Sequence, residues 1–245
     1  MQLVRFLSLL AFCFTLATAS GVDFAKAIPA NCEQVVLVTS PDWASTTGTL
    51  RRYERADPHA RWLAVGTPVD VLLGKHGLAW GTGLHSRVAD GAPKKVEGDL
   101  RAPAGVFNFG TAFGRASREE MRWLRFPYLQ LSANTEAVDD PASRYYNRIV
   151  ERTQIPHPDW QSAEQMGHIP VYEFGIEVAH NPERIPRAGS GIFVHLWPSE
   201  KRSTSGCTAL HRADLIELLR WLDAAKHPVL VQLPQKLARE NLSGF

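Results

Sequence analysis

The sequence predicts a mostly β fold with short helices, an α+β domain. Three features carry this. Short apolar runs bounded by Gly and Pro recur along the chain, amphipathic helical periodicity is strong only once, near the C-terminus, and there is no internal repeat. "EQVVLVTS" (33–40) reads as the first strand. "TGTLRRYERA" (47–56) begins at a Gly turn and continues as a second strand of mixed polarity. "TPVDVLLGKHGLAWGTGL" (67–84) suggests a hairpin or ladder around Gly74 and Gly77. The run 86–105, rich in Gly, Pro and charge, reads as a surface loop. "GVFNFGTAFG" (105–114) is a strand with Phe107, Phe109 and Phe113 along it.

The middle of the chain differs. "ASREEMRWLRF" (116–126) predicts a short helix stopped by Pro127. Residues 138–168 mix turn signals and aromatics with few long apolar runs. They read as a long loop or small subdomain, a length that suits a segment covering a site. Strands return at "PVYEFGIEV" (170–178) and "SGIFVHLW" (190–197). "HRADLIELLRWLDAAK" (211–226) is the strongest helix, with Leu215, Leu218, Leu219 and Leu222 as its apolar stripe. "HPVLVQLP" (227–234) is a last strand ended by Pro.

The N-terminus "MQLVRFLSLLAFCFTLATAS" places Arg5 before an apolar stretch and a small-residue site at 17–19. It reads as a secretory signal peptide cut after Ala19, leaving one domain over 20–245 with 116–168 as an insertion or cleft-covering segment. The apolar run is short for a membrane span, and no later segment is long and apolar enough to be one. With 27 basic and 25 acidic residues, charge is balanced and gives no argument for a nucleic-acid partner. After cleavage two cysteines remain, Cys32 and Cys207, and export permits a disulfide between them.

Cys207 lies in "SEKRSTSGCTALHRADL" (199–215), twelve residues after His195. Four readings are open: nucleophile, metal ligand, half a disulfide, or a small buried residue. A metal site could draw on His195, Cys207, His211 and Asp214, but the spacing matches no zinc signature. For a nucleophile, Gly206 permits a tight turn that aims backbone N–H groups beside the sulfur, and a following helix N-terminus would favour thiolate. His195, ending a core strand, can hold the proton and deliver it to a leaving amine.

"GIFVHLW…STSGCTAL" resembles the catalytic segment of the L,D-transpeptidase (YkuD-like) family, with His195 upstream of Thr204, Gly206 and Cys207. "KKVEGDLRAPAGVFNFGTAFG" (94–114) is similar to the family's block ahead of the site, and the likeness spans roughly residues 75–233. The resemblance implies a β-sandwich catalytic domain with an inserted loop or subdomain, exported and acting on peptidoglycan. Stem peptides would be donor and acceptor, without cofactor or metal, on a monomer in the periplasm or otherwise at the cell wall. It assigns Cys207 as nucleophile, His195 as general base then acid, and the Leu196 carbonyl as the group orienting the imidazole. Gly206 and Cys207 N–H groups would form part of the oxyanion hole, with Thr204 and Ser205 beside substrate. Water resolving the thioester would give L,D-carboxypeptidase or endopeptidase activity, and a non-catalytic wall-binding protein is a third reading. Many members carry His in place of Ser205 and Arg in place of Ala209. Arg101, Arg115 and Arg202 are the candidate substitutes for that arginine.

Around this pair, Tyr145, Tyr146 and Asn147 could line a groove for an extended peptide or sugar, or belong to a subdomain core. Trp197 lies close enough in sequence to His195 to flank a cleft. Asp139 and Asp140 before Pro141 read as a turn or cap, or as a site for an acceptor ammonium. His168 reads as structural. Because an oxidised thiol cannot attack a carbonyl, both Cys32 and Cys207 are expected to be free in active protein.

Overall fold

A computed structural model describes residues 24–86, 91–198, 203–242 and 244–245. The N-terminal segment read as a signal peptide, and Arg202, lie outside the described residues. The elements are α1 (Phe24–Ala27), β1 (Gln34–Ser40), β2 (Thr47–Glu54), β3 (Leu63–Leu72), β4 (Leu78–Trp80), β5 (Ala102–Gly114) and β6 (Tyr128–Gln130). They continue with β7 (Thr135–Val138), β8 (Arg148–Glu151), β9 (Ala163–Gln165), β10 (Phe174–Val178), β11 (Phe193–Leu196) and β12 (Thr208–Leu210). Last come α2 (Arg212–Trp221), β13 (Val229–Pro234) and α3 (Gln235–Asn241).

The sheet is a closed eight-stranded barrel, not the expected sandwich. Its strands run β10-β11-β12-β3-β2-β1-β13-β5, and β5 pairs back onto β10. The length of β5 makes closure possible. Its first half, Gly105–Asn108, pairs with β13, and its second half, Phe109–Gly114, pairs with β10. One strand thus joins both ends of the sheet and leaves no open edge in the ring. β4 and β6 hang off β5. The turn at Gly74 and Gly77 closes on itself, but β3 and β4 do not pair. β3 joins β2 and β12, and β4 joins β5.

Val35, Val36, Leu37 and Val38 of β1 are all buried, so both faces of that strand are covered. The barrel interior covers one face. α3, which packs against β1 and β13, covers the other. The main core adds Leu215, Leu218, Leu219 and Leu222, the stripe predicted for the late helix, although α2 ends at Trp221. α2 packs against β10 and β11.

The helix expected at 116–126 does not form. Glu120 accepts hydrogen bonds from the Ser117 amide (2.8 Å) and hydroxyl (2.7 Å), closing a single turn. Beyond it, Trp123, Leu124 and Phe126 all turn onto the main core, and Pro127 ends the segment before a helix long enough to persist can develop. Residues 135–165 instead carry a separate sheet, β8-β7-β9. A second apolar cluster, Phe113, Leu131, Ala137, Met166, Tyr172, Phe193 and Cys207, ties this sheet to the barrel, with the cysteine inside the seam.

His180 and His195 are buried, and loss of solvation lowers both from the ordinary 6.5 to about 4. The unfolded chain therefore binds more protons than the folded one between these values, and stability contributed above pH 6.5 is lost as pH falls toward 4. Thermal melts should show stability dropping between pH 6.5 and 5, by up to about 1.4 kcal/mol per pH unit for each histidine. A flat profile over that window would contradict the buried neutral state.

Candidate active site

β11 carries His195 between β10 and β12, opposite Gly175 and Ala209. A carbonyl can only accept, so the 2.8 Å contact between His195 Nδ1 and the Leu196 carbonyl places the ring proton on Nδ1. Nε2 is left with the lone pair. The Tyr172 ring packs edge-on against the imidazole at 5.4 Å.

Cys207 follows a turn fastened to the barrel. Thr204 N–H donates to Leu73 O (2.9 Å), and Lys75 N–H donates to Thr204 O (2.8 Å). The Thr204 hydroxyl donates to Cys207 O (2.6 Å) and accepts from Gly206 N–H (3.2 Å). Gly206 has φ 145°, and a Cβ there would lie 3.1 Å from Arg101 O, so the turn needs glycine. Cys207 does not open a helix. β12 intervenes, and α2 starts only at Arg212, so the expected dipole assistance to a thiolate is missing. Burial instead pushes the thiol up to about 12. The sulfur accepts from Phe193 N–H (3.3 Å) and donates to Gly191 O (3.5 Å). Its hydrogen-bond partners are backbone groups rather than the imidazole.

Cys207 and His195 line one cleft of about 430 Å³. Thr204, Ser205 and Gly206 lie along the same wall, and Ala137, Asp139 and Glu164 of the inserted segment lie in its lining. Glu164 accepts from the Tyr172 hydroxyl at 2.5 Å, and burial raises its carboxyl above the usual range. Among the described residues, no group of three or more His, Cys, Asp or Glu side chains is placed to hold a metal ion. Cys32 and Cys207 are separate buried thiols.

Several sequence candidates lie elsewhere. Arg101 donates to Leu78 O (3.1 Å), and Arg115 donates to Ile169 O (2.8 Å), and neither arginine lines the cleft. Trp197 stacks on His211 at 4.2 Å and faces a different groove with Asp70 and Gln235. Tyr145 packs on Trp160 within the inserted sheet. Asp140 caps a turn through Ala142 N–H (2.9 Å) and Gln161 N–H (2.7 Å), whereas Asp139 reaches the cleft. Tyr146 is buried, bonded to Glu97 and accepting from Gly189 N–H (3.1 Å).

Asn147 is a brace. Its Nδ2 donates to His180 O (2.9 Å) and Asn181 O (3.0 Å), and its Oδ1 accepts from Gly191 N–H (3.1 Å). The Gly191 carbonyl in turn accepts the hydrogen bond from the Cys207 thiol. Asn147→Ala should cost about 2 kcal/mol of stability by leaving His180 O and Gly191 N–H without this partner, measured by urea unfolding. A cost below about 0.5 kcal/mol would show that the brace is dispensable.

Lys95, Glu97, Glu164 and Tyr172 also belong to the site. Lys95 and Glu97 lie in the charged stretch read as a surface loop, where a Lys–Asp pair four residues apart was the available signal. Glu164 and Tyr172 carry no local signal. The fold alone brings them to the histidine.

The family model for YkuD, the L,D-transpeptidase catalytic domain, matches residues 71–231, about two thirds of the chain. The chain belongs to the L,D-transpeptidase catalytic-domain family. It matches no curated protein and no solved structure. The matched span of this L,D-transpeptidase domain holds every cleft residue from Lys95 to Cys207. β1, β2 and most of β3 precede it, yet they complete the barrel that holds the cleft. The arginine frequent in the family after the cysteine has no room here: Ala209 is fully buried between His195 and Leu72.

Proposed function

We propose that this L,D-transpeptidase domain cross-links peptidoglycan stem peptides outside the cytoplasmic membrane through a thioester on Cys207. The observation that carries the reading is one cleft lined by both Cys207 and His195, with the imidazole held in the Nδ1–H tautomer by Leu196 O. In this reading Nε2 takes the thiol proton as sulfur attacks the carbonyl of an L-to-D peptide bond. The carbonyl π pair moves to oxygen. As it returns, the C–N bond breaks and the imidazolium protonates the leaving amine. An amine of a second stem attacks the thioester, gives its proton to His195, and sulfur leaves to regain a proton. Thiol and imidazole both rest neutral at pH 7, because burial disfavours both charged forms. Proton transfer therefore accompanies attack rather than preceding it.

Among the described residues, no helix is long and apolar enough to cross a membrane. Carboxylates at the cleft, Glu97, Asp139 and Glu164, suit an acceptor that arrives with an ammonium group. Incubation with purified muropeptides, followed by mass analysis, tests the reaction. Cross-linked dimers are expected. Shortened monomers alone would make the enzyme a hydrolase, and no product with intact stems would remove the catalytic reading.

A further inference from the structure

Lys95 is a lysine buried beside the reacting thiol. Its side chain is only 4 % exposed, and among the described residues it is the one Lys or Arg lining the cleft. Two of its three ammonium hydrogens are spent, on Val96 O (3.1 Å) and Asp99 Oδ1 (2.5 Å). Asp99 is itself fixed by Val96 N–H (3.0 Å) and Arg101 N–H (2.9 Å). The third hydrogen has no protein partner among the described residues.

Two glycines with positive φ leave the path this side chain takes. A Cβ on Gly189 (φ 99°) would lie 3.1 Å from Lys95 Cγ and 3.2 Å from Cε. A Cβ on Gly206 (φ 145°) would lie 3.7 Å from Nζ. The stem is thus pinned at one glycine, and the ammonium arrives at the other, next in sequence to Cys207. Its charge acts on the sulfur, favouring thiolate against the larger effect of burial. Meanwhile the Gly206 amide, one of two expected oxyanion donors, is occupied by the Thr204 hydroxyl.

We propose that Lys95 is a catalytic residue whose ammonium donates a hydrogen bond to the oxyanion formed when Cys207 attacks the substrate carbonyl. The proposal rests on Cys207 being the nucleophile. The carbonyl π pair moves onto oxygen and is held there by the Lys95 N–H. Lysine keeps all its protons, and the pair returns as the C–N bond breaks. A buried ammonium anchored by a carboxylate is already aimed and needs no reorganisation when charge develops, which is the condition for strong transition-state stabilisation.

The test compares two reactions of the same sulfur. Acylation by a tetrapeptide muropeptide builds an oxyanion, whereas alkylation by iodoacetamide does not. Lys95→Met keeps the stem between the two glycines. The double variant Lys95→Met/Asp99→Asn also removes the carboxylate left alone, and melting curves establish that each is folded. Acylation, followed by intact mass, should fall by about 10²–10³-fold in both. Alkylation, compared at equal distance from each protein's thiol pKa, should change by less than about threefold, well inside the effect expected of a lost donor. Equal losses in both reactions would mean that Lys95 acts only through the sulfur. A raised KM with unchanged kcat would make it a binding group for substrate carboxylate. Unfolding of both variants at 25 °C would make it a structural ion pair. Each of these outcomes, and unchanged acylation, overturns the proposal. Acylation that survives in Cys207→Ala would instead remove the nucleophile assignment itself.

Discussion

Cys207→Ala should yield a folded protein that forms no product. The lost sulfur is the only atom proposed to bond to substrate, so turnover should fall by about 10⁴–10⁶-fold, the range seen when a nucleophile is deleted. The structural cost is small by comparison. Phe193 N–H loses its acceptor, worth about 1–3 kcal/mol, and a small hole opens in the cluster of Phe113, Tyr172 and Phe193. Cys207→Ser restores an acceptor for Phe193 but supplies a poorer nucleophile. It should recover stability without recovering activity. Product formation by Cys207→Ala within tenfold of the parent rate would eliminate the covalent route.

His195→Gln should slow the same reaction by about 10²–10⁴-fold. The need for a base is acute here. Burial pushes the Cys207 thiol well above its ordinary range, so little thiolate forms at pH 7 unless a base takes the proton. His195→Asn, whose amide nitrogen sits where Nδ1 does and can still donate toward Leu196 O, separates loss of the base from loss of the strand. The parent's pH profile provides a second check. Burial lowers His195 to about 4, so the neutral, proton-accepting imidazole persists well below pH 6.5. The acidic limb of kcat/KM should fall nearer pH 4 than pH 6.5, and His195→Gln should lack that limb. A limb at 6.5 in the parent would mean that the imidazole is solvated in the working enzyme.

Elements whose signal is local were legible in the sequence. β1 is a run of β-branched and Leu residues, β5 shows its phenylalanines, and α2 shows a leucine stripe, and all three occur. Barrel closure was not legible, because it depends on β5 pairing with β13 and β10 at once, a long-range property that alternation cannot encode. β12 has three residues, too few for a period, and its absence from the sequence reading misplaced Cys207 at a helix start. α3 follows Pro234, which reads as a stop but serves as the residue before a new helix. The histidine–cysteine pair was picked out from the strand-end position of His195 and from family likeness, and both residues line one cleft. The walls of that cleft were harder. Lys95 looks like one charge among many in a surface loop, and only the fold shows that its ammonium is buried between two glycines beside the cysteine.

The most direct measurement is intact mass spectrometry of protein quenched in acid during turnover of a tetrapeptide muropeptide, followed by peptide mapping. The thioester reading predicts a mass increase equal to the donor acyl group, located on Cys207, released as free thiol when an acceptor stem is added, and missing in Cys207→Ala. Turnover with Cys207 unmodified at every time point, or an adduct on another residue, would contradict it.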